Sequence, residues 1–223
     1  MIRPLCLLSA LAIPTGAQPS CFDDAMVVLD MSWSMAESGF QEFGRPKIGI
    51  ARDALATVMA EAEDFRRIGF ATYGPGGSDE CNGVTVHFAP IEQAADLTVS
   101  TAMGMNPLGS TPLTAAVELA AVTLGDEGTV VLITDGAETC QGNPCALAAD
   151  LAAQGGVTVH VIGFQVKGAF REWQSMDPND FFVDQAPVMR CLADQTGGEY
   201  AGATDLDELI AALRVTLGCP LFS

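Results

Sequence analysis

The sequence predicts a single three-layer α/β domain, in which helices cover both faces of a mostly parallel, doubly wound central sheet. Short, nearly all-apolar runs of strand length alternate along the chain with longer segments of helical spacing, a pattern typical of a sheet buried on both faces. The hydrophobic fraction is 49% and only 17% of the residues are charged, which is enough apolar material for a large core. No linker, charge block or repeat divides residues 18–223, so one domain is expected.

Apolar runs predict the strands, and apolar residues spaced three or four apart predict the helices. The predicted strands are 25–29, 68–73, 84–88, 129–133, 157–162 and 199–201. The predicted helices are 47–62, 112–124, 145–154, 188–195 and 206–217. The segment 84–88 alternates in polarity and follows a turn-rich connection without a helix, so it is expected to pair antiparallel at an edge of the sheet. Thr111 and Asp205 are the expected N-caps of the helices that follow them.

Residues 1–17 have the pattern of a secretory signal peptide. Arg3 supplies the positive charge, Leu5–Ile13 forms a short apolar core, and small residues precede a cleavage point after Ala17. A buried N-terminal helix or strand is the alternative interpretation. The prediction is export, which places the mature chain, residues 18–223, in a secreted or periplasmic location.

The charge balance excludes several classes of partner. The chain has 28 acidic and 10 basic residues and a net charge of −18, and removal of Arg3 with the signal leaves 9 basic residues and a net charge of −19. Nucleic-acid binding needs a basic surface that releases counterions from phosphates, and docking on an anionic membrane needs one too. No apolar run reaches 18 residues, so no membrane insertion is expected after cleavage.

Polar residues occupy three loops at strand ends or helix starts. Asp30, Ser32 and Ser34 follow the first predicted strand, Thr111 precedes a helix, and Asp135 follows the strand 129–133. In a doubly wound fold such loops form the ligand crevice. The five side chains are all hard oxygen donors, which suits Mg²⁺, Mn²⁺ or Ca²⁺. Helix capping or loop hydrogen bonding is the alternative for each residue, and capping by Ser34 or Thr111 is compatible with ligation.

These motifs resemble the metal-ion-dependent adhesion site of von Willebrand factor A-type (integrin I-like) domains. The D-x-S-x-S pattern falls on Asp30, Ser32 and Ser34, the threonine before Pro-Leu on Thr111, and the Thr-Asp-Gly aspartate on Asp135. The segment 138–146 is similar to an exported bacterial branch of the family. The resemblance implies a divalent cation, Mg²⁺ first, ligated directly by the hydroxyls and often through water by the aspartates. It also implies a partner protein that offers an Asp or Glu carboxylate to the metal.

An enzyme is the alternative. A metal-assisted hydrolase could use the same Asp, Ser and Thr residues, but it needs a positioned general base, and no spare candidate stands out. A dehalogenase-type phosphatase would carry D-x-D, whereas position 32 is serine. A serine hydrolase would need G-x-S-x-G and a loop histidine, whereas His87 and His160 lie in strand-like runs. A binding module without catalysis is therefore the expectation, and its oligomeric state is not predicted.

Aromatic residues near the expected metal edge are candidate partner contacts. Trp33 lies between the two serines, and Phe170 and Trp173 lie in the long connection from Phe164 to Pro187. This connection leaves the carboxyl end of a strand, so it could contact the partner residues around the metal-binding carboxylate and give the interaction its specificity. The alternative is a lid whose aromatic residues cover the sheet edge.

Six cysteines remain after signal cleavage. An even number in an exported protein favours disulfides, and six cysteines allow 15 pairings. Cys21 and Cys219 should both lie at the edge opposite the metal, where a bridge would join the two termini. A bridge between Cys140 and Cys145 would hold the loop behind Asp135. Elimination then leaves the third pair, Cys81 with Cys191.

Overall fold

The computed structural model describes residues 22–38, 44–75, 81–166 and 186–218. Its strands are β1 Ala25–Asp30, β2 Ile68–Tyr73, β3 Val84–Ile91, β4 Gly128–Thr134, β5 Val157–Phe164 and β6 Tyr200–Ala203. Its helices are α1 Lys47–Ala62, α2 Ala95–Met103, α3 Leu113–Leu124, α4 Pro144–Gln154, α5 Ala186–Thr196 and α6 Leu206–Leu217. Each predicted element is present, with ends that shift by up to three residues. Helix α2 and a short 3-10 helix, Trp33–Ala36, were not predicted.

The strands form one six-stranded sheet in the order β3-β2-β1-β4-β5-β6. All neighbours are parallel except β2 and β3, so the predicted antiparallel edge strand is confirmed together with the fold class. The chain builds outward from β1 to one edge and then returns to β4 on the other side of β1. The carboxyl ends of β1 and β4 therefore border the crevice where the strand order reverses, the usual ligand position in this architecture.

Two apolar layers enclose the sheet. Val27 and Leu29 of β1 belong to a cluster with α1, α2 and α6, whereas Met26 and Val28 belong to a cluster with α3, α4 and α5. This alternation follows from the two-residue period of a strand. All six residues of β1 are buried, so the strand that carries Asp30 is a rigid base for the loop that follows it. Among the residues described, no helix is long and apolar enough to cross a membrane.

Of the two predicted N-cap residues, Asp205 is confirmed and Thr111 is not. Asp205 caps α6 by accepting a hydrogen bond from the Glu208 amide at 2.9 Å. Thr111 does not cap α3, because the helix begins at Leu113, with Pro112 in the cap position and no side-chain cap bond. The first-turn amide of Thr114 instead donates to Oε2 of Glu138 at 2.7 Å. A carboxylate from the loop after β4 thus replaces the expected local cap.

In the described part of the chain, four cysteines form disulfides, but in other pairs than those predicted. Cys81 pairs with Cys140, and Cys145 pairs with Cys191, with Cα–Cα distances of 5.5 and 5.3 Å. The predictions of Cys140 with Cys145 and of Cys81 with Cys191 are therefore wrong. The loop after β4 lies against the chain entering β3, which brings Cys140 to Cys81, and α4 packs on α5, which brings Cys145 to Cys191. The predicted pair Cys21 and Cys219 lies outside the described residues.

Peptide mapping without reduction is expected to recover a Cys81–Cys140 peptide and a Cys145–Cys191 peptide. Serine at both Cys81 and Cys140 should lower the free energy of unfolding by about 4 kcal/mol, because the bridge closes a long loop in the unfolded chain. Chemical denaturation measures this loss. A peptide that joins Cys140 to Cys145 would contradict the pairing.

Candidate metal centre

Three parallel strands end together at the crevice. Asp30 is the last residue of β1 and pairs in register with Tyr73, the last residue of β2. On the other side of β1, Leu29 pairs with Ile133, so Thr134 and then Asp135 follow beside Asp30. The two aspartates of the predicted site are thus brought together from positions 105 residues apart.

The loop after β1 is shaped by alternating burial. Met31 and Met35 are fully buried in the core, whereas Trp33 between them is 60% exposed. The Ser32 amide donates to Asp30 Oδ1 at 2.8 Å, and the 3-10 helix Trp33–Ala36 completes the turn. The two methionines anchor the loop and leave the serines free to turn toward the strand end.

Four of the five predicted site residues form one hydrogen-bonded cluster. The Ser32 and Ser34 hydroxyl oxygens are 3.1 Å apart, and the Ser34 hydroxyl donates to Asp135 Oδ1 at 2.7 Å. The Asp135 amide approaches Asp30 Oδ2 at 3.4 Å. Ser34 bridges the two loops through its side chain, so it does not act as a helix cap. The cluster therefore joins two strand-end loops around one set of oxygen atoms.

Thr111 lies in a second loop that is held against the first and third. The Trp33 amide donates to the Gly109 carbonyl at 3.0 Å, which joins the first two loops. The Thr111 amide donates to the Thr139 hydroxyl at 2.8 Å, and the Thr139 amide donates back to the Thr111 carbonyl at 3.1 Å. Thr111 is buried, and these hydrogen bonds place its loop against the loop that follows β4. Thr139 was not identified from the sequence, because a threonine in a loop carries no distinctive signal.

A buried hydrogen-bond relay runs from Tyr73 through Thr134 to Asp30. The Tyr73 hydroxyl donates to Thr134 Oγ1 at 2.9 Å, and the Thr134 hydroxyl donates to Asp30 Oδ2 at 2.8 Å. Burial raises the pKa of Tyr73 well above its ordinary value, and the negative charge of Asp30 raises it further. Tyr73 therefore stays a neutral donor that fixes the orientation of the Asp30 carboxylate.

Asp30 is a fully buried carboxylate close to a second one, Asp135. Complete burial, and then the charge of Asp135, raise the pKa of Asp30 from 3.8 to about 6, although hydrogen bonds from Ser32 and Thr134 lower it in part. A divalent cation between the two carboxylates would remove this repulsion. The buried acidic pair is thus the observation that fits a metal at this position.

Lys47 is a third charged group at the site. Its Nζ donates to Asp135 Oδ2 at 2.6 Å, and its side chain is 1% exposed. The sequence pattern places Lys47 in the first helix and gives no sign of a role at the metal centre.

The donor chemistry is that of a hard cation. In the described part of the chain, no group of three or more His, Cys, Asp and Glu side chains could hold a metal ion. The cluster instead combines two carboxylates with hydroxyl groups, all of which are oxygen donors. Such a set suits Mg²⁺-like ions, which keep several waters and use few protein carboxylates.

Both histidines lie away from the cluster, in strands as predicted. His87 Nε2 is 2.9 Å from the Thr72 hydroxyl, and His160 Nδ1 accepts the Glu199 amide at 3.0 Å. Burial lowers the pKa of His160 to about 4. Each histidine is thus engaged within the sheet rather than at the candidate site.

Two exposed apolar side chains flank the cluster. Trp33 is 60% exposed and Leu108, which the sequence did not indicate, is 61% exposed. The Leu108 amide donates to the Met31 carbonyl at 2.8 Å, so both side chains belong to the joined loops. The other two predicted partner contacts, Phe170 and Trp173, lie outside the described residues.

Comparison with known proteins supports the fold. YwmD, an uncharacterized protein of Bacillus subtilis (strain 168), is 27% identical over 216 residues, or 91% of this chain and 88% of YwmD. The conserved hypothetical protein BatB from Bacteroides thetaiotaomicron matches with a TM-score of 0.62 at 16% identity, over 87% of this chain and 97% of BatB. Proximal thread matrix protein 1 from the mussel byssus, solved with a zinc-occupied metal-ion-dependent adhesion site motif, matches with a TM-score of 0.60. Its identity is 16%, over 88% of this chain and 46% of that one.

The family model of the von Willebrand factor type A domain matches residues 24–185. This range holds all three loops of the cluster and the whole of β1 to β5. The solved neighbours match this structure at low sequence identity, so they support the fold. The chain belongs to the von Willebrand factor type A domain family.

Proposed function

We propose that this protein is a metal-dependent protein-binding module, in which a divalent cation coordinates an Asp or Glu carboxylate of a partner protein. The proposed metal ligands are Asp30, Ser32, Ser34, Thr111 and Asp135. The observation that carries the proposal is the hydrogen-bonded cluster of Asp30, Ser32, Ser34 and Asp135 at the strand-order reversal. Family membership supports an interaction module in general.

The mix of ligands explains why such a site would bind an anion. Bound at this cluster, the cation supplies Lewis acidity toward an oxygen atom of the partner. Ser32, Ser34 and Thr111 would contribute neutral hydroxyls, so of the five proposed ligands only the two aspartates would offset the cation's charge. The relay from Tyr73 through Thr134 fixes Asp30, so the donor atoms are organised before the cation arrives.

The proposed cation is Mg²⁺, with Mn²⁺ and Ca²⁺ as the other hard ions that an all-oxygen set accepts. The mussel protein's zinc-occupied motif supports a divalent cation at this position of the fold. Zinc sites built for zinc normally use imidazole or thiolate, and the cluster contains neither.

Trp33 and Leu108 are proposed to contact the partner beside its carboxylate. Both side chains are mostly exposed and lie on the two loops that border the cluster. A partner with an acidic residue next to an apolar one would satisfy both the cation and this apolar pair. Aromatic residues at the centre of an interface commonly contribute most of its binding energy.

Catalysis is not part of the proposal. A metal-assisted hydrolase would need a general base near the bound water, and the two histidines make their hydrogen bonds within the sheet.

We also propose that the protein is exported from a bacterial cell after cleavage of residues 1–17. The two disulfides support this location, since such bonds persist in oxidising compartments.

The pH dependence of cation binding follows from the raised pKa of Asp30. A proton competes with the cation below about pH 6, so Mg²⁺ affinity should fall about tenfold from pH 7 to pH 5. Because the pKa is raised in the folded state, the metal-free protein should lose stability as the pH rises from about 4 through 6. Added Mg²⁺ should therefore raise the Tm more at pH 7 than at pH 5. Equal Tm shifts at the two pH values would contradict this.

A pull-down from bacterial envelope extract tests the proposed function. The wild-type protein should retain a partner in Mg²⁺ and release it when the metal is chelated. Thr111→Ala should lose most of the retention, because it removes a proposed ligand from a buried position. Thr101→Ala is the matched control, since its hydroxyl bonds only within α2 in the exposed last turn. Retention that survives chelation of a confirmed partner would refute the proposal.

Turnover assays separate the binding module from the hydrolase alternative. The Mg²⁺-loaded protein should hydrolyse phosphate and ester substrates no faster than buffer alone. Hydrolysis that disappears in Thr111→Ala but persists in Thr101→Ala would favour the enzyme instead.

A further inference from the structure

Lys47 is a buried charge that the proposed ligand set does not use. The chain has only two lysines, Lys47 and Lys167, and the first is 1% exposed. Its Nζ lies 2.6 Å from Asp135 Oδ2, and the Asp135 side chain is fully buried. Glu37 Oε2 is 3.9 Å away on the solvent side, where its 43% exposure screens its charge.

Lys47 lies at a position where a buried positive charge destabilises the local structure. It is the first residue of α1, and a cation at a helix N-terminus opposes the helix dipole. Burying an ammonium group also costs desolvation, which only its ion pair offsets. Helix formation and packing therefore do not account for a lysine here, whereas the adjacent carboxylate pair does.

The fixed ammonium changes the charge of the loaded site. Asp30 and Asp135 with Lys47 carry one net negative charge, so a divalent cation leaves one net positive charge in a buried pocket. Without Lys47 the same cation would be neutralised by the two aspartates. A site with residual positive charge needs one external anion, and a neutral site does not.

Resting on the function proposed above, we propose that Lys47 is a positioning residue and fixed counter-charge that makes cation binding depend on the partner's carboxylate. It repels the cation when no partner is present, and it favours an anion once the cation is bound. The ion pair also holds Asp135 Oδ2, while Ser34 holds Oδ1, so the carboxylate keeps one orientation. The cation and the carboxylate then each strengthen the binding of the other.

Calorimetric titration with Mn²⁺ alone at pH 8 tests the first half of the proposal. Lys47→Met should bind Mn²⁺ roughly tenfold more tightly than wild type, because a nearby positive charge is removed. A residue needed only for structure would weaken Mn²⁺ binding when replaced. Arg67→Met is the matched control: Arg67 pairs with Asp24 at the opposite end of β1, so its loss should leave Mn²⁺ affinity unchanged. Equal or weaker Mn²⁺ binding by Lys47→Met would overturn the proposal.

Acetate as a carboxylate probe tests the second half. In wild type, acetate should tighten Mn²⁺ binding and displace a metal-bound water, seen as a fall in water-proton relaxation enhancement. By reciprocity, Mn²⁺ should tighten acetate binding by the same factor. In Lys47→Met this mutual enhancement should fall at least about fivefold, the lower end of typical coupling between sites. Undiminished coupling in Lys47→Met would overturn the proposal.

A charge-balanced double variant keeps the test valid if Lys47→Met does not fold. Lys47→Met with Asp135→Asn removes both members of the ion pair, and the loaded site again carries one net positive charge. The double variant should bind Mn²⁺ more weakly than wild type, because a proposed ligand is lost, but acetate should still tighten the Mn²⁺ binding that remains. No tightening by acetate would overturn the role of charge. Failure of the wild type to bind Mn²⁺ would refute the proposed function itself, whereas Mn²⁺ and acetate binding that ignores Lys47 refutes only this inference.

Discussion

Asp30→Asn is expected to weaken Mg²⁺ binding about a hundredfold or more, a loss of about 3 kcal/mol of binding free energy, while the protein stays folded. The substitution removes the carboxylate at the end of β1 and its charge. The amide oxygen can still accept the Ser32 amide, which now donates to Asp30 Oδ1. Loss of the charge also ends its repulsion with Asp135. The Asn amide group would replace Oδ2 as the partner of the Thr134 hydroxyl, which can donate instead to the Gly136 carbonyl, so the metal-free variant should be about as stable as wild type at pH 7.

Calorimetry with Mg²⁺ and a thermal melt measure both effects. Asp24→Asn is the matched control, because Asp24 lies just before the other end of β1 and pairs with Arg67 at the surface. An exposed ion pair contributes about 1 kcal/mol or less, and the control should keep wild-type Mg²⁺ affinity. Wild-type Mg²⁺ affinity in Asp30→Asn would mean that the cation binds elsewhere.

Gly74→Ala is expected to lower both the stability and the cation affinity. Gly74 follows β2 with a φ of +115°, a conformation that a side chain disfavours. A Cβ there would lie 2.5 Å from the Met31 carbonyl oxygen and 2.7 Å from that of Leu108. It would push the first and second loops of the site apart. Strain and overpacking together should cost about 3 kcal/mol of unfolding free energy, and Mg²⁺ affinity should fall as well.

Gly125→Ala separates the two causes. Gly125 follows α3 with a φ of +87°, and a Cβ there would meet nothing within 4 Å. It should cost only the backbone strain, about 1–2 kcal/mol, and leave Mg²⁺ affinity unchanged. Urea denaturation and calorimetry on the two variants make the comparison. Equal losses of stability, or unchanged Mg²⁺ affinity in Gly74→Ala, would show that crowding at the loops does not affect the site.

The strands and the oxygen donors could be predicted because their signals are local. The apolar run ending at Asp30 marks a buried strand, and the carboxyl ends of parallel strands meet at one edge, so Asp30 and Asp135 had to be neighbours. Ser32 and Ser34 follow at alternating positions within the same short loop. Such features depend on spacing along the chain, which the sequence displays directly.

The groups that surround the donors depend on distant contacts. In the sequence, Tyr73 has the pattern of a core strand residue and Lys47 that of a helix residue. Only the packing of β2 and α1 against the strand ends brings the two side chains to the site. Disulfide pairing failed for the same reason, since Cys140 meets a partner from the loop before β3 rather than its neighbour Cys145. Helix α2 was not predicted: it is only nine residues long, and only Ala95, Thr98 and Ala102 of it are buried.

The most direct test is a crystal of the protein soaked in Mn²⁺ and measured for anomalous scattering at the manganese edge. A single strong peak is expected at coordination distance from the Ser32 and Ser34 hydroxyls, beside Asp30, Thr111 and Asp135. At least one coordination position should face solvent and hold water or a carboxylate. A peak elsewhere, no peak at saturating Mn²⁺, or a cation enclosed entirely by protein atoms would contradict metal-mediated binding of a partner.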